Sequence, residues 1–157
     1  MTPPIYLDYN ATTPVAPEVA DAMQPFLREA FGNPSSSHWY GRCAHDAIAD
    51  ARKNVAMLIG AQPEEIIFTG CATEANNLAL RGIDSTLREK RRHIIISSVE
   101  HPAILEPALW LRARGWEVSI VPVDHQGWVD PADVKAALRD DTALVSIMHA
   151  NNEVGTI

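Results

Sequence analysis

Hydrophobic positions along this chain follow two rhythms. Between residues 38 and 59, Ala44, Ile48, Ala51, Val55 and Leu58 recur at helical spacing and form one apolar stripe, so the spacing predicts a helix over 38–59. Gly60 follows directly, where a helix commonly ends on a left-handed residue. From residue 66 the rhythm changes. Short apolar runs at 66–69, 94–97, 118–121 and 143–148 read as strands, and the stretches at 72–89, 102–113 and 131–139 read as helices. The strands are apolar on both faces, as in a sheet covered by helices on both sides. Repeated strand–helix–strand units predict a mostly parallel α/β sheet with right-handed crossovers. Ahead of this alternation, residues 1–16 read as an extended arm with a short strand at Ile5-Tyr6-Leu7. A helix begins near Pro17 and passes through Ala22, Met23 and Phe26, with a kink expected at Pro25. Residues 32–37, Gly-Asn-Pro-Ser-Ser-Ser, read as a loop.

Composition narrows the class. The 157 residues are 46% hydrophobic and 21% charged, enough for one domain with a real core and too apolar for a disordered chain. No apolar run approaches the ~18 residues of a membrane span, and the first residues carry no basic region followed by an apolar run, so neither a membrane nor a secretory signal is expected. Two cysteines, Cys43 and Cys71, make no disulfide framework and no Cys-rich zinc site. The default is a soluble cytoplasmic protein. A net charge of −7 argues against a nucleic-acid partner. The basic cluster from Arg88 to Arg92, interrupted by Glu89, reads as a solvated helix end or as a small partner patch.

In open α/β sheets ligands bind at the carboxyl ends of strands, and three strand ends carry suggestive residues. The first is Thr69-Gly70-Cys71-Ala72-Thr73-Glu74, where small residues lead into a helix whose first N–H groups lack internal partners. That turn suits a phosphate, with Thr73 adding a hydroxyl, or is simply a capped helix start. The second is Val99-Glu100-His101-Pro102. His101 is placed to stack on a ring or to move a proton, or is an ordinary hydrogen-bonded loop histidine. The third is Asn151-Asn152-Glu153. One amide could bind a ligand while the other fixes the loop, or the pair is an asparagine turn. His149, just before the pair, reads as structural. His38, His45, His93 and His125 show no metal-type spacing, and no metal is expected. A phosphate cradle, an imidazole and an amide at successive strand ends together fit a small phosphorylated aromatic ring.

Five segments resemble the cysteine desulfurases, in the class V branch of the fold-type-I pyridoxal-phosphate enzymes. They are the run from Ile5 to Pro14 (IYLDYNATTP), Phe31 to Ser36 (FGNPSS), Ala72 to Asn77 (ATEANN), Glu100-His101, and Ser146 to Glu153 (SIMHANNE), in the family's order and spacing. The resemblance implies the N-terminal part of that fold's large domain: an arm over 1–16, then an incomplete pyridoxal-phosphate-binding domain over 17–157. It implies pyridoxal 5'-phosphate as cofactor, Ala72 and Thr73 at its phosphate, His101 stacked on its ring and sharing in proton transfer, and Asn152 contacting it and orienting substrate. It also implies L-cysteine as substrate, alanine and an enzyme persulfide as products, sulfur-acceptor or scaffold proteins as partners, and a homodimer. Gly70-Cys71 departs from the family's usual Ser-Gly or Ser-Cys, and flexibility at position 70 would loosen the phosphate cradle. The family's chain runs more than twice as far. Its Schiff-base lysine, pyridinium aspartate and persulfide cysteine fall beyond Ile157, while Lys53, Lys90 and Lys135 lie in or beside helices. The expectation is therefore a chain inactive by itself. The alternatives are a product acting only by association, as in a split gene, and a related class V enzyme such as selenocysteine lyase.

Overall fold

The structure, a computed structural model, describes residues 4–87 and 89–157. The chain divides into two compact units, Met1–Phe68 and Thr69–Ile157.

In the first unit, helix α1 (Pro17–Arg28) opens on a proline whose missing N–H costs nothing there, and it continues past Pro25. Helix α2 (Trp39–Ile59) is capped by His38, whose Nδ1 accepts the Gly41 N–H at 3.3 Å. It ends on Gly60 at φ 70°, as its position in the sequence predicted. Gly41 is buried, and a Cβ there would sit 2.2 Å from the Ser36 carbonyl oxygen, so the 32–37 loop can approach α2 only at a glycine. The apolar stripe of α2 is only partly buried: Ala44 is buried, whereas Ile48 and Leu58 are 40% and 84% exposed. Two strand expectations fail here. Residues 5–7 form no strand; the Tyr6 hydroxyl donates to the Asp8 and Thr12 carbonyls across a tight turn. Residues 66–69 are also unpaired, following a one-turn 3₁₀ segment (Pro63–Glu65), with the Ile66 carbonyl accepting from Arg52 instead. Alternating apolar residues suit a strand, but a strand exists only where a neighbour completes the ladder.

The second unit is an open parallel sheet with helices. Helix α3 (Ala72–Leu87) precedes β1 (His93–Ser97), α4 (Pro102–Ala113), β2 (Glu117–Val121), α5 (Pro131–Ala137) and β3 (Thr142–Ser146). The strand order is β2-β1-β3 and both pairings are parallel, with Ile96 opposite Ile120 on one side and Ser146 on the other. Every residue of β1 is buried. Ile94 and Ile96 point into a core with Leu80 from α3, Ile104, Ala108 and Leu111 from α4, and Trp116. The α3–α4 pair is tied by Asp84, 8% exposed, whose carboxylate accepts Trp116 Nε1 at 2.8 Å and Arg114 Nε at 2.9 Å. Asp84→Ala leaves the buried indole N–H without that acceptor, so denaturant unfolding is expected to show a loss of about 1–3 kcal/mol.

On the other face of β1 lies His93, fully buried, with Nδ1 2.8 Å from Thr142 Oγ1 and Nε2 2.9 Å from Ser119 Oγ. One imidazole thus bridges all three strands. Burial, and next the charge of Arg139, hold its pKa below the ordinary value, against weaker opposing effects of Asp141 and Glu117. The unfolded chain therefore takes up this proton before the folded chain does. On His93's account stability is level above about pH 7 and falls as pH drops below the unfolded value of ~6.5, by at most about 1.4 kcal/mol per pH unit. Denaturation across that range is expected to give a shallower slope for His93→Gln; equal slopes would remove His93 as the cause.

Candidate functional site

The site lies at the carboxyl ends of the strands in the second unit. Its floor is the start of α3. The N–H groups of Ala72, Thr73 and Glu74 meet no acceptor among the described residues, and the first bond of the helix is Ala75 N–H to the Cys71 carbonyl. Three unpartnered N–H groups and the positive end of the helix dipole make this turn attractive to a phosphate. Gly70 is hydrogen-bonded within the turn. Its N–H donates to Glu74 Oε2 at 2.6 Å, and Thr69 Oγ1 donates to the Cys71 carbonyl at 3.1 Å. Gly70 adopts no left-handed conformation. A Cβ there would lie 3.2 Å from Glu74 Oε2, and its smallness lets that carboxylate fold back.

His101 caps α4. Its Nδ1 accepts the Ala103 N–H at 3.0 Å, which leaves the ring proton of the neutral imidazole on Nε2. In this state the imidazole offers a donor at Nε2, and it gains a further proton only by giving up its bond to Ala103. A cleft of about 390 Å³ joins these two features, lined among others by Ala72, Thr73, Glu100, His101, Ser146 and Met148.

The Asn pair divides its labour. Asn151 is buried. Its Nδ2 donates to the Val99 carbonyl at 3.2 Å, and its Oδ1 accepts the N–H groups of Glu153 and Val154 at 2.9 and 3.0 Å. It is the residue that fixes the loop. Asn152 is exposed, its Nδ2 donating to Glu153 Oε1 at 3.0 Å, and it is not among the residues lining the cleft. The structure thus brings Ala72, Thr73 and His101 together and leaves Asn152 on the neighbouring turn. The residue that sequence reasoning passed over is Glu100, on the cleft wall; a carboxylate directly before the strand-end histidine was the available signal. None of Lys53, Lys90 and Lys135 lines the cleft. The donors therefore fit the phosphate end and ring face of pyridoxal phosphate, while a lysine for its aldehyde is not among the residues of this cleft. Among the described residues no helix is long and apolar enough to cross a membrane, and no three acidic, His or Cys side chains could hold a metal ion.

Similarity to known proteins agrees with this geometry. The model of the family "Aminotransferase class-V" matches residues 5–157. The chain belongs to that family. Curated relatives are named cysteine desulfurase IscS: the one from Dictyoglomus turgidum is 56% identical over 98% of this chain, and the one from Methanosarcina thermophila is 50% identical over the same share. The chain spans 39% and 38% of their lengths. Among solved structures, a NifS-like protein superposes with a TM-score of 0.93 at 44% identity, covering 98% of this chain and 42% of its own. DndA from Streptomyces lividans gives 0.82 at 45% identity, covering 95% of this chain and 42% of its own. A structure described as SspA in complex with cysteine gives 0.88 at 39%, covering 94% of this chain and 43% of its own. The class-V fold thus accounts for the parallel sheet with its helices.

Because His101 caps α4 through Nδ1, its removal has a structural cost separate from any chemistry. His101→Ala is expected to lower stability by about 0.5–2 kcal/mol in denaturant unfolding, and His101→Asn, a good cap, to restore most of it.

Proposed function

We propose that this chain is the cofactor-cradling N-terminal part of a pyridoxal-phosphate-dependent cysteine desulfurase, which converts L-cysteine to L-alanine and passes the sulfur on as a cysteine persulfide. The observation that carries the reading is the cleft lined both by Ala72 and Thr73, whose N–H groups are unpartnered, and by His101. Class-V membership, with cysteine desulfurases at about half identity, supports it. Residues 17–157 are then an incomplete large domain and 1–16 its arm. The lysine, aspartate and persulfide cysteine belong to the part of the relatives that this chain does not span. Sulfur-acceptor proteins, a homodimer and a cytoplasmic location come with the same reading.

When bound, pyridoxal phosphate supplies a protonated ring that accepts the electron pair released at the amino acid's α-carbon. The chain's own residues do the holding. The N–H groups of Ala72 and Thr73, with the Thr73 hydroxyl, would hold the phosphate. His101 would stack on the ring, with Nε2 carrying the proton it can donate. Acting as a base requires the imidazole to release Ala103 and take the proton at Nδ1. Asn152, whose amide now bonds Glu153, would contact the cofactor and help orient the substrate.

The chain by itself is expected to bind pyridoxal phosphate weakly, since a helix terminus adds only ~0.3–2 kcal/mol for an anion. It should bind pyridoxal, which lacks the phosphate, more weakly still. Alanine formation from L-cysteine should match free cofactor in buffer. Adding the C-terminal remainder of a close relative should restore turnover, and His101→Ala should then lower kcat about 10²-fold or more. Equal binding of pyridoxal and its phosphate would sink the cradle. Turnover of selenocysteine but not cysteine in the reassembled enzyme would move the activity to a lyase.

A further inference from the structure

We infer that Glu100 is the positioning residue for His101: its carboxylate pins the loop after β1 to the loop after β3 and so sets where the imidazole faces the cleft. Glu100 Oε1 accepts the Ser97 hydroxyl at 2.7 Å and the Met148 N–H at 2.7 Å. Ser97 is 1% exposed, the last residue of the buried central strand, so one end of this staple is anchored in the core. Met148 lies just beyond β3 and lines the same cleft as His101. The loop between has little else to hold it. The N–H groups of Val99 and His101 meet no acceptor among the described residues, Ser98 and Val99 form a turn, and Ser98 N–H donates to the Val121 carbonyl at 2.9 Å. Asn151 supports the same loop through the Val99 carbonyl. The two residues before His101 are therefore both held by groups that follow β3.

The chemistry suits a glutamate. One carboxylate oxygen has lone pairs for two donors, and both bonds are strengthened by its charge. Glutamine keeps an oxygen at the same reach. Aspartate is one methylene shorter and cannot span from the loop to Met148 and Ser97 with the backbone in place. This inference rests on the reading of His101 as the residue facing the cofactor ring, but it concerns the protein without cofactor and is tested that way.

The test is ring-nitrogen NMR of the whole chain at about pH 8.5, where ordinary imidazoles are neutral. Hydrogen exchange of the Ala103 amide is followed in parallel, for the parent and for Glu100→Gln, Glu100→Asp and Glu100→Ala. His93, bonded across the sheet away from this loop, is the internal reference. The parent and Glu100→Gln should hold His101 in one tautomer, protonated at Nε2. The Asp and Ala variants should show a tautomer mixture and roughly five- to tenfold faster Ala103 exchange, with His93 unmoved. A His101 signal unchanged in the Asp and Ala variants overturns the inference. So does equal disturbance of His93 and His101, which would mean general loosening. If Glu100→Ala does not fold, Ser97→Ala removes one of the two bonds and should produce a smaller change of the same kind; no change there also overturns it. Failure of pyridoxal phosphate to bind would instead strike the proposed function and leave these signals as they are.

Discussion

A five-residue strand buried on both faces and paired on both edges is the constraint on which the second unit depends. Within β1 the middle residues, Ile94 to Ile96, are simple to bury. The ends are not, because His93 and Ser97 carry polar groups out of water with them. Each would cost about 1–3 kcal/mol if left without a partner. Among the described residues no buried side-chain polar atom lacks one. His93 is satisfied by Ser119 and Thr142 on the two neighbouring strands, and Ser97 by Glu100. The need to bury β1 thus dictates what stands beside it at both ends.

At the carboxyl end that necessity builds the site. Satisfying Ser97 places the Glu100 carboxylate; the same oxygen takes the Met148 N–H, and the chain turns immediately into α4 at His101. The α3 turn enters from the other side, presenting N–H groups that the helix cannot use. Parallel strands bring these loops to one edge, because every strand points the same way. The cleft is therefore a consequence of topology, and its chemistry follows from which residues end the strands.

Much of this was legible in the residues. The α4 bounds, the Gly60 cap and the three paired strands follow from period and punctuation, because helix caps and short apolar runs act locally. The 66–69 segment reads identically to the true strands, and only the absence of a ladder partner separates them. The α2 stripe foretold its helix but not how far it is buried: a hydrophobic pattern names the face that seeks cover, while its burial depends on what packs there. The split of roles within the Asn pair was open in the sequence, since two adjacent amides are chemically equal until the fold buries one. Glu100 was hidden by being ordinary, a carboxylate in a loop whose importance appears only when Ser97 and Met148 are seen to share one oxygen.

The position of His101 carries a last consequence for the chemistry. A neutral imidazole has one donor and one acceptor, and here the acceptor is committed to the first turn of α4. The outward Nε2 proton can be offered as a hydrogen bond at no structural cost. Accepting a proton uses the same nitrogen that caps the helix, so the Ala103 N–H must be surrendered. A histidine stacked on a ring without capping a helix would bear no such cost. The arrangement therefore favours a resting state in which His101 is an oriented donor, and it couples any uptake of a proton at this ring to a small opening of the helix behind it.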